Sequence, residues 1–122
     1  MCFTVSEKFP KPLVAKRDIP CYKIVFPKGV WRAKYGYEAA CQRYAYFAGK
    51  TTKKVAIRVM ANNCIIYEGY HSYQSLNIAS KNYQGWEEYL IIIKMVIPKG
   101  TIYYKNDSEY VSERIKCIGP LK

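Results

Sequence analysis

Acidic residues are scarce in this 122-residue chain: nine Asp and Glu stand against 20 Lys and Arg, for a formal net charge of +11. Histidine is scarcer still. A single one, His71, excludes a His-rich metal site. The five cysteines (Cys2, Cys21, Cys41, Cys64 and Cys117) are odd in number, singly placed and without a CxxC, so neither a disulfide framework nor a zinc site is expected. They read as buried reduced thiols in a cytoplasmic protein. No apolar run approaches the roughly 20 residues of a membrane span, and Met1 to Pro10 lacks the apolar core of a signal peptide. There is no phosphate loop, dinucleotide fingerprint, nucleophile elbow or zinc-spaced cluster. No cofactor, no metal and no membrane partner are therefore expected.

What is present is hydrophobic and aromatic. Half of the residues are hydrophobic, and 13 are tyrosines. That composition gives one packed domain over residues 1–122, with 1–18 as an extended lead-in or edge strand and 19–118 as the core. Tyrosine joins a large ring to a hydroxyl and suits half-buried strands and stacking surfaces. The charge is one-sided. Lys8 to Arg58 holds 13 basic residues against Asp18 and Glu38, whereas Val59 to Lys122 holds seven against six acids. A basic half of this kind attracts anions: a nucleotide or other phosphate-bearing small molecule, nucleic acid, or an acidic protein.

The expected fold class is α+β: a mostly antiparallel twisted sheet with one or two short helices. Cys21 to Phe26 is a strand by its β-branched and aromatic content, and Pro27-Lys28-Gly29 a turn. Trp31 and Ala33 alternate with Arg32 and Lys34 along Val30 to Tyr37. Glu38 to Phe47 leans to strand, and Gly49 to Lys54 is a polar turn. Lys54 to Met60 alternates again and pairs through Asn62-Asn63 with Cys64 to Tyr67 as a hairpin. Ser75 caps a helix over Leu76 to Tyr83, with Leu76, Ala79 and Tyr83 on one face. Tyr89 to Ile97, the longest apolar run, predicts a central strand buried on both faces. Pro98-Lys99-Gly100 turns the chain into Ile102 to Tyr104, and Tyr110 to Ile118 forms the last strand.

His71 lies in Gly69-Tyr-His-Ser-Tyr73, read as a loop entering the helix. Backbone N–H groups at a helix start suit a phosphate. Arg32, Lys34, Arg43 and Arg58 are the expected phosphate ligands, with Lys23, Tyr70, His71, Ser72, Tyr73 and Ser75 lining the site. Guanidinium and ammonium groups hold phosphates, and tyrosines stack on bases. A nucleic-acid-binding sheet face would instead use Trp31, Arg32, Lys34, Tyr35, Tyr37, Arg43, Tyr44 and Tyr46. No catalytic residue stands out.

The order Cys21-Tyr22-Lys23, Gly69-Tyr-His-Ser-Tyr73, Ile97-Pro-Lys-Gly-Thr101 and Glu109-Tyr-Val-Ser-Glu113 is similar to small uncharacterised proteins of phage and prophage origin. That resemblance spans residues 19–118 and implies a protein working in the host-cell cytoplasm, with no established activity. The same order resembles a stripped ADP-ribosyltransferase core, with Lys23 where an Arg or His is expected, His71-Ser72-Tyr73 for its Ser-rich motif, and Glu113 or Glu109 for its terminal acid. The Glu-x-Glu spacing is missing. A pocket that holds a nucleotide without turning it over suits these residues better than transfer chemistry. In a phage setting the expectation is a counter-defence protein that sequesters a nucleotide immune signal, assembled as a homo-oligomer. The alternatives are a nucleic-acid-binding module, an ADP-ribosyltransferase-like enzyme, and a direct protein inhibitor of a host defence enzyme.

Overall fold

The computed structural model describes residues 3–4, 11–26, 37–39, 45–60, 65–84 and 90–121. Among them are twelve strands and one helix: β1 (Phe3–Thr4), β2 (Leu13–Val14), β3 (Ile19–Phe26), β4 (Tyr37–Ala39), β5 (Ala45–Tyr46), β6 (Arg58–Met60), β7 (Ile65–Glu68), β8 (Tyr70–Tyr73), α1 (Leu76–Tyr83), β9 (Ile91–Ile97), β10 (Ile102–Lys105), β11 (Glu109–Ser112) and β12 (Lys116–Pro120). The main sheet runs β12-β9-β3-β8-β11-β10-β2, with β4 against the end of β3 and β5 against β4. A separate small sheet has the order β1-β7-β6. All these pairings are antiparallel. The expected mostly antiparallel class is what the structure has.

The sheet is open and cannot be flat. β11 and β12 are joined by three residues, Glu113 to Ile115, yet stand four strand positions apart. Four inter-strand spacings come to about 19 Å, whereas the four Cα–Cα steps from Ser112 to Lys116 span at most about 15 Å. The sheet therefore curls towards its inner face. The segment from Gly49 to Val55 runs along the free edge of β12 and the residues before it. The Gly49 N–H donates to the Cys117 carbonyl (2.8 Å), Cys117 N–H to Lys50 (3.1 Å), Thr52 N–H to Ile115 (2.9 Å) and Val55 N–H to Glu113 (3.0 Å). The Glu113 N–H in turn donates to Ile102 (3.0 Å).

Three expectations need correcting. Tyr110 to Ile118 is not one strand: it breaks at Glu113, and its halves stand at different places in the sheet. Local two-residue alternation cannot reveal a break whose cause is sheet closure. Within Tyr89 to Ile97, the strand covers Ile91–Ile97, next to the β12 edge, and it alternates: Ile93, Met95 and Ile97 are buried while Lys94 is exposed. Only one face is fully sealed, so the apolar run over-reports burial. The hairpin partner of β7 is likewise shorter than Lys54 to Met60, being Arg58–Met60. The turns expected at Pro27-Lys28-Gly29 and Asn62-Asn63 lie outside the described residues, as does most of Val30 to Tyr37.

The concave face holds the main core. Cys21 and Val25 from β3, Ile93, Met95 and Ile97 from β9, and Ile115 and Cys117 near β12 are all fully buried there, with Tyr46 and Tyr70. The helix begins where Ser75 predicts. Its hydroxyl accepts the Ile78 N–H at 3.2 Å, satisfying one of the first-turn amides. It lies against β3, β9 and β8. Ala79 is fully buried beneath it and stands outside the main cluster, so α1 covers the convex face. Leu76, expected on the same buried side, is exposed. A short helix laid on a sheet seals only the middle of its stripe.

Candidate functional site

Alternation along β3 decides which side chains meet. Cys21, Lys23 and Val25 point to the concave face, and Tyr22 and Ile24 to the other. The chain pairs Tyr22 with Tyr73, which sets Lys23 opposite Ser72 in the next register step. β11 continues the row, since Tyr110 pairs with Ser72. β10 closes it, since Lys105 pairs with Tyr110. On the far side Lys23 faces Ile93 of β9. The concave face thus carries a cross-strand row Lys23, Ser72, Tyr110, Lys105 over four adjacent strands.

Lys23 is buried to 7% exposure. A lysine there is costly unless its donors are used. Its Nζ donates to the His71 carbonyl, and the ammonium stands 5.7 Å from the centre of the Tyr46 ring, a cation–π distance. The Tyr46 ring meets Tyr70 edge-on, with centroids 6.3 Å apart. Tyr70 is itself held by its hydroxyl donating to the Lys53 carbonyl at 2.9 Å. Tyr103 and Tyr110 form a second edge-on pair, 5.7 Å between centroids, half-buried against the same core.

Burial pushes the Cys21 thiol up to about 12, against the pull of the Ser72 hydroxyl and the Lys23 charge, which lower it. The buried Ser72 Oγ makes no hydrogen bond of ordinary geometry, so its contact with Cys21 is of the weak thiol kind. Tyr110 is raised by burial, then by Tyr103 and Cys21. Glu109, beside the row, is raised by burial and opposed by Asn106 and Lys23.

Of the expected site residues that are described, the structure brings together Lys23, Tyr70 and Ser72 and separates His71, Tyr73, Ser75 and Arg58 from them. Tyr70 to Tyr73 is a strand, not a loop. His71 and Tyr73 consequently fall on the opposite face from Tyr70 and Ser72, and the His71 Nδ1 lies 3.2 Å from the Gly69 carbonyl. Ser75 is committed to capping α1. Arg58 lies in the small sheet, its Nε 3.9 Å from a Glu68 carboxylate oxygen. Arg32, Lys34 and Arg43 lie outside the described residues. Of the alternative nucleic-acid face, Tyr37 and Tyr46 are core residues and not an exposed platform; Trp31, Tyr35 and Tyr44 lie outside the described residues. Glu113 pairs with Lys54 at 3.7 Å. Sequence reasoning missed Tyr110 and Lys105. The signal was available only through register, because they are 39 and 34 residues from His71 along the chain.

Among the described residues, no group of three His, Cys, Asp or Glu side chains is placed to hold a metal, and no helix is long and apolar enough to cross a membrane. Compared with protein-family models, curated proteins and solved structures, the chain matches none of them.

Proposed function

We propose that the protein binds a nucleotide-type anion on the concave face of its sheet and holds it without chemical change. The observation that carries this reading is Lys23: a buried ammonium set among Tyr46, Tyr70, Ser72 and Tyr110 in a chain of net charge +11. A buried cation attracts an anion through a lower dielectric than water, hydroxyls complete the donor set, and the tyrosine rings offer a face or edge to a base. The groups that would do chemistry here are poorly suited to it. The Cys21 thiol is held protonated at neutral pH, and thiols in that form are weak nucleophiles. Glu113 is engaged with Lys54. Binding without turnover suits sequestration, and the likeness to phage proteins makes an immune nucleotide signal in the host cytoplasm the ligand to try first. Assembly into a homo-oligomer belongs to the same proposal, since small proteins commonly complete ligand sites at subunit interfaces.

Isothermal titration with a panel of mononucleotides and cyclic nucleotides tests the reading. Saturable binding of at least one, with the ligand recovered intact by mass spectrometry, is expected. Lys23→Met should weaken it tenfold or more while native mass spectrometry shows the same assembly. Heat-free titrations across the panel would end the proposal. Affinity that instead grows with oligonucleotide length and falls steeply with salt would move the assignment to a nucleic-acid-binding module.

A further inference from the structure

The edge of the sheet outside β12 is lined by a strap that is pinned through its backbone and presents its side chains outward. Phe47 to Lys50 is a tight turn, closed by the Lys50 N–H on the Phe47 carbonyl at 3.0 Å. It brings the α-carbons of Phe47 and Lys50 within about 7 Å of each other. From there the chain is fastened to the edge. Gly49, Lys50 and Thr52 bond through the main chain to Cys117 and Ile115, Thr51 bridges to Lys116, and the Val55 N–H donates to Glu113. The Thr52 hydroxyl accepts the Ile115 N–H at 3.0 Å, and the Lys53 carbonyl accepts the Tyr70 hydroxyl. Phe47 keeps 43% of its surface exposed. Lys50, Lys53, Lys54 and, across the edge, Arg114 are exposed, and Lys116 is half-buried. Five cations thus share about 20 Å of edge, one turn plus four extended residues. Among the described residues the acid at this edge is Glu113, and Lys54 takes it at 3.7 Å. Like charges held in line are unfavourable until a polyanion offsets them.

We propose that this edge binds a short stretch of single-stranded nucleic acid, on a surface separate from the concave face. Phosphates run along Lys50, Lys53, Arg114 and Lys116, and one base lies on the Phe47 ring. Phosphate suits these residues better than the carboxylates of a protein partner. Lysine is depleted from protein–protein interfaces, yet it holds phosphate as a point charge on a flexible stem. An exposed ring beside a basic track is the arrangement that takes a single strand, because every base has a face to stack. In a duplex those faces are stacked on one another, so the ring selects against it. The strap has room for roughly four nucleotides, the lower end of single-strand site sizes. Its pinned backbone holds the cations in place before the ligand arrives, which lowers the ordering cost of binding.

The test is fluorescence anisotropy of the whole protein with three probes: a labelled oligothymidylate about 12 nucleotides long, the same strand paired to oligoadenylate, and a poly-glutamate peptide of equal length. The single strand should bind at least tenfold more tightly than either of the others. Between 50 and 200 mM sodium chloride its affinity should fall with a log–log slope of about −3, at about 0.7 per phosphate for four contacts. Lys50→Gln with Lys53→Gln should cut that slope by about 1.4. Phe47→Ala should weaken binding about fivefold or more with the slope kept, and Phe47→Trp should restore it. Lys81→Gln, which removes the same charge from the exposed side of α1, should change affinity by less than about twofold. All these side chains are exposed, so equal urea midpoints will show that folding is unchanged. Lys23→Met should leave the single strand bound, which separates this edge from mononucleotide binding on the concave face. No binding of the single strand, or equal affinity for the duplex, overturns the proposal. Equal affinity for poly-glutamate overturns it in favour of an acidic protein partner. A loss in Lys81→Gln equal to that in the double variant overturns it as a general charge effect, and an equal loss in Lys23→Met overturns it by moving the strand to the concave face.

Discussion

Cys21 shows how a single side chain is governed by its surroundings. It lies on the concave face beside Ser72 and Lys23, fully buried, and burial raises its pKa from 9.0 to about 12 in spite of both neighbours. A group whose folded pKa is raised keeps its full contribution to stability below the unfolded value and loses it as pH climbs towards the folded one. The window here is therefore pH 9 to 12, and complete loss amounts to about 4 kcal/mol at 1.36 kcal/mol per tenfold step. Stability from urea unfolding should stay level from pH 7 to 9 on this account and fall above it. Cys21→Ser should flatten the first part of that fall. The same burial predicts labelling: at pH 8, iodoacetamide should leave Cys21 and Cys117 unmodified in the native protein, by peptide mass mapping, and modify both in urea. Rapid native labelling of Cys21 would place it at the surface and remove the concave site as drawn.

Elements carry their own constraints, and Gly69 is where two of them join. It links β7 of the small sheet to β8 of the main one, with φ at +128°, a conformation essentially reserved for glycine. A Cβ there would come within 2.5 Å of Val111 Cγ1 and 3.4 Å of Ile57 Cγ1. Backbone strain and overpacking together put the cost of Gly69→Ala at about 3–5 kcal/mol. Adding Val111→Ala should relieve the steric share only, so the double variant should be less destabilised than the sum of the singles yet remain well below wild type in urea unfolding. A Gly69→Ala protein within 1 kcal/mol of wild type would mean the corner is not tight. This joint also explains what could be read from the chain. Ser75 and the eight residues after it were legible because capping and helical spacing are local. The strand at Ile19–Phe26 was legible from composition. Tyr70 to Tyr73 reads as a loop because Gly69 reads as a turn, whereas Gly69 switches sheets and the segment after it is a strand. The site inherited that error: a loop would gather Tyr70, His71, Ser72 and Tyr73 on one ligand, but a strand divides them between two faces. That Lys23 lies on a strand was legible from composition, while its row partners Tyr110 and Lys105 depend on pairings that no local pattern encodes.

At the scale of the whole molecule the excess positive charge opposes folding as well as attracting anions. Twenty basic residues against nine acidic ones leave an excess of 11 positive charges, and compaction brings them closer. Among the described residues, two ion pairs with an exposed base compensate little. Lys54–Glu113 at 3.7 Å and Arg58–Glu68 at 3.9 Å each involve a well-exposed base, and exposed pairs contribute about 0–1 kcal/mol. Salt should accordingly act in opposite directions on two properties. Raising sodium chloride from 50 to 500 mM shortens the screening length from about 14 Å to about 4 Å, so self-repulsion weakens and the urea midpoint should rise. Over the same range the affinity for any anionic ligand should fall, because its attraction is screened by the same ions. The fall should be shallow for a ligand held at buried Lys23, since buried charges are screened less. Measured together, unfolding midpoints and titrations at three salt concentrations separate these terms. A midpoint that falls with salt would show that local attractive pairs outweigh the repulsion among the excess cations.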